Sequence, residues 1–402
     1  MAERECLQKD APAHASAAEL LARTTEEQQR LGYFHTLREI RQQPDTWLGT
    51  AELMAQSTPS LLHCVQGLSS LILTGSGSSE YAGDCVRMVL QKELQVNSQA
   101  IGGGALLTHG SLALPLGRPG LMVSLARSGD SPESVGTLAL MLEIEPELRH
   151  LVLTCNQQGS LANAFRNDPR VVVFTLDERT NDRSLVMTSS FTNLVLAARF
   201  LGLVCNLSRY RAICAGLADS AAALLQNHFD ALAQVANARF RRCLFLGSGP
   251  RFAAAREAAL KMLEMTAGRV TTSCESYLGL RHGPMSSVHD DTLMVCFLSS
   301  EPRLRAYESD VLRELAQKQL GLLKVVVGEG IPPALVGPKD VVIPYERAKS
   351  LGDDDLPVLD VVVGQILALF RCLAEGLSPD APSASGVIQR VVQSFPLHLP
   401  NA

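Results

Sequence analysis

Three stretches in the first half of this 402-residue chain concentrate glycine and small hydroxyl residues: Gly75-Ser76-Gly77-Ser78-Ser79-Glu80, Arg127-Ser128-Gly129-Asp130-Ser131-Pro132-Glu133 and Thr188-Ser189-Ser190. The first two follow short apolar runs and the third precedes a helical pattern. Glycine lets the backbone approach a ligand, and exposed amides and hydroxyls at a helix start donate to phosphate oxygens, with the helix dipole favouring the negative charge. Any one of these serines could equally be a helix cap, a common use of Ser and Thr. Three such turns in one half of the chain favour a shared anion over three separate caps. The first turn is neither a dinucleotide fingerprint nor a P-loop, because Glu80 stands where the last glycine belongs and no Gly-Lys-Ser/Thr follows.

The second half carries a different set. A helical stretch from Ala253 to Thr266 holds Glu257, Lys261 and Glu264, and the run Leu280-Arg281-His282-Gly283-Pro284 follows. The spacing puts the two glutamates and the lysine on one helix face. That face could be a solvated charge row, and His282 could be a structural loop histidine. A glutamate with a histidine is also what proton movement on an opened sugar requires. The carboxylate takes and returns a carbon-bound proton, and the imidazole protonates the ring oxygen.

Elements must bring these residues to the right places. Apolar runs near 69–74, 120–125, 150–155 and 170–176 predict strands, and Ser131 to Leu142 and Ser189 to Gly202 have helical spacing. Short continuous apolar strands alternating with helices predict parallel sheets covered on both faces. The pattern then recurs 172 residues later. Leu71-Ile72-Leu73-Thr74 before Gly75-Ser76-Gly77 is answered by Cys243-Leu244-Phe245-Leu246 before Gly247-Ser248-Gly249. Leu121–Ser124 is answered by Leu293–Cys296, Leu151–Thr154 by Leu323–Val326, and Leu194–Leu201 by Ile366–Leu373. A shared offset over so long a stretch is a duplication. The second copy has lost the serine turns, reading Gly247-Ser248-Gly249-Pro250-Arg251 and Leu298-Ser299-Ser300-Glu301-Pro302.

Flanking segments complete the expectation. Residues 17–43 read as one helix with Glu26, Glu27, Arg30, Arg38, Glu39 and Arg41 on its wet face, ended by Pro44, and 45–56 as a second. One or two Ala- and Leu-rich helices occupy 208–240, and Ser378 to Pro400 is an irregular tail whose Val387–Val392 packs back on the body. The expected divisions are an N-terminal extension 1–45, a first domain 46–207, a second domain 208–376 and a tail 377–402.

Composition narrows the function classes. The chain is 46% hydrophobic and 19% charged with a net charge of -5 and few aromatics, which fits a globular protein and argues against nucleic acid as a partner. Met1 to Asp10 lacks the apolar core of a signal peptide, and no run of about 18 apolar residues is expected to cross a membrane. Ten scattered cysteines without a CxxC pair read as reduced core thiols of a cytoplasmic protein, Cys6 among them. Metal-ligand spacing is absent, with nine histidines and no HExxH, so no metal is expected.

These residues carry a resemblance. The stretches RSGDSPES (127–134), TNDRSLVMTSSFTN (180–193), ALKMLEMTAG (259–268), LRHGP (280–284) and PDAPSASGVIQRVVQ (379–393) resemble double sugar-isomerase (SIS) domain proteins. The chain is similar to the isomerase half of glucosamine-6-phosphate synthase, and more closely to the AgaS family of galactosamine-6-phosphate deaminase/isomerases, over about residues 35–400. The resemblance implies an α/β fold of two tandem SIS domains, each a parallel sheet flanked by helices in a flavodoxin-like three-layer sandwich. It implies that Ser78, Ser79, Ser128 and Ser131, helped by Ser76 and Thr188, hold the phosphate of a sugar phosphate. Glu264 would move the proton from C2 to C1, Glu257 would support it, and His282 would assist ring opening from a neighbouring subunit, giving a homodimer or larger assembly. The reaction implied is conversion of an aldosamine 6-phosphate to a ketose 6-phosphate with release of ammonia and no cofactor. Galactosamine 6-phosphate is the first expectation. Glucosamine 6-phosphate deamination, tagatose 6-phosphate isomerisation, or a non-catalytic sugar-phosphate regulator remain alternatives. The synthase has a glutaminase domain with an N-terminal cysteine nucleophile; Met1-Ala2-Glu3 opens this chain with few residues before the first repeat, which favours the breakdown direction. The synthase tail also brings a lysine to its site. This tail has none after Lys349, leaving Arg390 and Ser385 as its candidates.

Overall fold

A computed structural model of the chain describes residues 16–346 and 351–398; Met1 to Asp10, Cys6, Lys349 and Pro400 lie outside them. Five helices come first: α1 (Ala17–Ala22), α2 (Thr25–Arg30), α3 (Phe34–Arg41), α4 (Gln43–Gln56) and α5 (Thr58–Val65). The first repeat then runs β1 (Ser70–Gly75), α6 (Ser78–Leu94), β2 (Asn97–Gly102), α7 (Gly103–His109), β3 (Gly120–Ala126), α8 (Pro132–Ile144), β4 (Arg149–Thr154), α9 (Ser160–Phe165), β5 (Val171–Thr175) and α10 (Ser189–Phe200). Two linking helices follow, α11 (Leu207–Asn227) and α12 (Phe229–Ala236). The second repeat is β6 (Arg242–Gly247), α13 (Pro250–Met265), β7 (Thr271–Ser276), α14 (Tyr277–Leu280), β8 (Thr292–Phe297), α15 (Pro302–Gln317), β9 (Leu323–Gly328), β10 (Val341–Pro344) and α16 (Pro357–Ala374).

Both sheets are parallel, ordered β2-β1-β3-β4-β5 and β10-β9-β8-β6-β7. The expected strands all form, because runs such as Leu71-Ile72-Leu73 and Leu293 to Phe297 are buried on both faces, as a helix-covered parallel sheet demands. Three strands escape the sequence reading: the short edge strand β10 (VVIP), and β2 (NSQAIG) and β7 (TTSCES). All three lie at sheet edges, and in β2 and β7 the half-exposed positions accept polar residues, so the apolar signal is lost.

Strand register proves the duplication residue by residue. Ser70 pairs with Gly120 in the first sheet, and Arg242 pairs with Thr292 in the second, each partner standing 172 residues beyond its counterpart. The register also corrects one equivalence. Leu121 pairs with Arg149 and Leu293 with Leu323, so Arg149, not Leu151, corresponds to Leu323. The slip is two residues, which keeps every side chain on its own face and so leaves no trace in the hydrophobic pattern.

By its contacts the chain divides into two compact units. One comprises Asp45–Asp182, Ser189–Ala215 and the chain from Ile388, and holds the first sheet. The other comprises the chain up to Pro44, Arg183–Thr188 and Gly216–Val387, and holds the second.

The N-terminal segment departs from the single expected helix. Thr24 caps α2 through a reciprocal box with Glu27, and Gly32, at φ +71°, separates α2 from α3. Pro44 sits in the first turn of α4, where proline lacks no needed hydrogen bond, so the helix begins at Gln43. Glu39 is not on a wet face. It is buried and accepts from the Arg183 and Ser184 amides and from the Ser184 hydroxyl. Among the described residues, α16 is long and apolar enough to cross a membrane, with mean hydropathy 1.8, contrary to the expectation of no such run. It is a core helix instead: 89% of it is buried, and its Asp360 is paired with Arg251. The tail also differs, since Val387 is 83% and Val392 50% exposed.

Candidate active site

In the first unit, β1 and β3 are neighbours although β2 intervenes in sequence, so the chain reverses direction across the sheet there. A crevice opens at the carboxyl ends of such a strand pair. It forms an open pocket lined by Thr74, Gly75 and Ser76 at the end of β1, Ser124 and Leu125 of β3, Gly103 of α7, and Ser134 and Thr137 of α8. Gly75 is required by contact, because a Cβ there would lie 2.5 Å from the Ser79 Cβ. Gly77, at φ +56°, leads into α6. Thr74 is buried, and its Oγ1 has no hydrogen-bond partner among the described residues. A buried hydroxyl at a pocket wall without a partner is suited to a ligand oxygen.

The turn after β3 is built rigidly. The Asn156 amide donates to the Ser128 carbonyl at 2.9 Å, and the Leu161 amide to the Gly129 carbonyl at 2.8 Å. Asp130 accepts from both the amide and hydroxyl of Ser160 at 2.9 Å. Ser128 is buried and its hydroxyl accepts from the Asp130 amide. Ser131 caps α8, accepting from the Ser134 amide, and its hydroxyl lies 2.6 Å from that of Ser134. Arg127 donates to the carbonyl of Arg390 in the tail. Arg390 in turn donates to the Asp182 carbonyl at 2.7 Å and the Asn181 side chain at 2.6 Å. Leu397 rests on Gly136 of α8, where a Cβ would come within 2.5 Å of it. The tail is thus held by arginines and a leucine rather than by its valines.

Of the six proposed phosphate residues, Ser76 lines the pocket directly, Ser78, Ser79 and Ser128 are buried in the flanking turns, and Ser131 caps α8. Thr188 groups with the other unit, and its carbonyl accepts from Gln365. Its neighbours Ser189 and Ser190 donate to the buried Asp182 carboxylate, which serves there as the anion of the third turn. Thr74, Ser124, Ser134 and Thr137 are pocket residues that the sequence reading did not single out. Their signal was position, at strand ends and one turn into α8, rather than residue clustering.

In the second unit, α13 presents Glu257, Lys261 and Glu264 together. The Lys261 ammonium lies 3.3 Å from Glu257 and 2.5 Å from Glu264. Glu257 and Lys261 are completely buried, while the Glu264 side chain keeps 24% of its surface. The charge row is therefore not a solvated face. Burial alone would depress the Lys261 pKa, but the Glu257 and Glu264 carboxylates outweigh it and hold the ammonium above its ordinary range. A fixed ammonium lies between two carboxylates, one closed off and one reaching solvent, and can position the outer carboxylate. His282 stands in an exposed turn before Gly283, at φ +121°, and its ring has no hydrogen-bond partner among the described residues. Arg281 beside it is tied to Glu314 at 2.9 Å. Ser385 is exposed.

No family model matches the chain. It is 33% identical over 371 residues to the D-galactosamine-6-phosphate deaminase AgaS of Escherichia coli, covering 90% of this chain and 95% of that one. It is 33% identical over 380 residues to the D-galactosamine-6-phosphate deaminase AgaS of a Shewanella species, covering 92% and 93%. Among solved structures, the tagatose-6-phosphate ketose/aldose isomerase of Escherichia coli superposes with a TM-score of 0.80 at 29% identity, covering 90% and 96%.

Proposed function

The chain belongs to the AgaS family of double-SIS sugar-phosphate enzymes, and we propose that it deaminates and isomerises galactosamine 6-phosphate to tagatose 6-phosphate and ammonia. The observation that carries this reading is the buried Glu257–Lys261–Glu264 row, an acid–base device that a sugar-phosphate sensor would not need.

The phosphate is held by neutral hydroxyls and amides at the β1 and β3 turns, with Ser76, Ser78, Ser79, Ser128 and Ser131 as its ligands and Thr188 assisting. His282 of a neighbouring copy protonates the ring oxygen and opens the sugar, which makes the working enzyme a homodimer or larger. Glu264 takes the C2 proton and returns it to C1. The aldehyde carbon becomes an alcohol, and C2 becomes an imine. Water adds at C2 and ammonia leaves, giving the ketose. Atoms balance with one water consumed, and no electrons leave the substrate, so no redox cofactor enters. Lys261 keeps Glu264 placed. Ser385 and Arg390 stay candidates for tail contacts to substrate, though Arg390 is engaged with the 181–182 loop. A cytoplasmic location belongs to the same proposal, supported by free cysteines, most of them buried.

The test is ammonia release from galactosamine 6-phosphate and glucosamine 6-phosphate. Ammonia from the galacto epimer is expected, and release from neither would remove the deaminase reading. A ketose formed without ammonia from an aldose 6-phosphate would instead favour the plain isomerase named for the Escherichia coli neighbour. Glu264→Gln is expected to bind substrate and lose turnover by about 10²- to 10⁴-fold.

A further inference from the structure

The second unit contains the same crevice position as the first, between β6 and β8, yet its contents differ. At the 172-residue offset that the register of β1 and β3 supports, the first-unit positions 76, 78, 79 and 128 become Ser248, Pro250, Arg251 and Ser300. The Ser79 position has thus become one arm of a buried ion pair. Arg251 is 1% exposed and grips Asp360 with Nε and Nη2, both at 2.7 Å, while Tyr345 donates to the same carboxylate at 2.6 Å. The turn after β8 retains donors, and these point at a carboxylate. The Ser300 amide and hydroxyl reach Asp353 Oδ1 at 3.1 and 3.2 Å, and the Ser299 hydroxyl donates to its Oδ2. Arg251 Nη1 stands 3.9 Å from the same Oδ1. Ser300 is the counterpart of Ser128, so an amide-and-hydroxyl turn that the first unit offers to an external anion is here filled by the chain's own carboxylate.

We propose that the turn after β8 is a second oxyanion seat, held in cis by Asp353, which a small monovalent oxyanion such as formate or dihydrogen phosphate takes when that side chain is withdrawn. The inference rests on reading the first unit's turns as an anion seat. The charge class follows from the surroundings. Arg251 faces the seat and is shared with Asp360, Arg305 donates to the Ser299 carbonyl, and Glu308 accepts from the Ser299 amide. Exchanging one negative charge for another keeps this balance, whereas a dianion adds repulsion from Asp360. With Asp353 in place, the second copy of the fold has no vacancy for the substrate's phosphate, and each chain binds one sugar phosphate.

The experiment uses the full chain carrying Ser128→Ala and Ser131→Ala, so that the first-unit seat does not respond, with and without Asp353→Ala. Thermal midpoints are read against formate, inorganic phosphate and, as an ionic-strength control, chloride. Asp353→Ala should lower the midpoint. Formate and phosphate should restore it saturably while chloride does not, and further Ser299→Ala and Ser300→Ala changes should abolish the recovery. A folded Asp353→Ala protein indifferent to both anions overturns the proposal. If that variant folds poorly, refolding yield is the readout: recovery by formate supports the seat, and no recovery overturns it. Failure of the first-unit reading shows separately, as unchanged substrate KM in Ser128→Ala/Ser131→Ala with Asp353 intact.

Discussion

Lys261 has no contact with solvent, and the Glu257 and Glu264 carboxylates lie against its charge. Removing one partner of a buried ion pair leaves the other uncompensated, at a cost of about 3–5 kcal/mol. Lys261→Met should therefore lower the thermal midpoint and, by freeing Glu264 to move, reduce kcat with little change in KM. A rise in KM with kcat intact would place Lys261 on the substrate's phosphate instead. The helix and its three charges were legible from spacing, but their burial was not. A charged row on one face has the same period whether it meets water or a core, and only packing against α16 decides between them. The serine turns were legible as a set, whereas Thr74 and Thr137 were hidden because a lone threonine in an apolar run carries no functional signal.

At the scale of elements, the tail and α8 illustrate what composition conceals. Val387 to Val392 looks like a packing segment, yet the tail is fixed by polar contacts of Arg390, the Arg127 donation to its carbonyl, and Leu397 over Gly136. Specific hydrogen bonds between residues 263 positions apart leave no local pattern in a sequence. Gly136→Ala should expel Leu397 and loosen the tail, read as faster proteolysis beyond Ile388. Leu397→Ala in the same chain should make room for the new methyl, so the effects of the two changes should not add. Additive effects would show that the leucine does not meet the helix at that glycine. The strands follow the same rule. Those buried on both faces were readable, and the polar edges β2 and β7 were not.

For the whole molecule, two buried titratable groups give opposite pH dependences. Burial first, then the nearby Arg170 guanidinium, lowers the His150 pKa to about 4, and neither ring nitrogen has a partner among the described residues. The unfolded chain, with an ordinary histidine near 6.5, binds more protons between those values. Stability should fall as pH drops from about 6.5 to about 4, by about 3 kcal/mol in all. His150→Leu should flatten that limb of the midpoint-against-pH curve. Burial raises Glu308 to about 7 against the pull of Ser248, the Ser299 amide and Arg251. A raised carboxyl pKa contributes stability below about 4.5 that is lost as pH rises through about 7. Glu308→Gln should therefore raise the midpoint at pH 8 and leave it unchanged near pH 4; equal gains at both would point to packing alone. The tandem architecture itself was legible, because duplication leaves an offset that survives divergence. The contact-defined units were less so, since each gathers segments far apart in sequence.

That gathering has a consequence for synthesis. A ribosome delivers the β1 and β3 turns early, but the carbonyl that Arg127 holds belongs to Arg390, 263 residues further along the chain. The turn after β3 therefore acquires this brace only once those 263 residues have been added. A nascent polypeptide arrested before that point carries the complete first sheet with this brace still unmade.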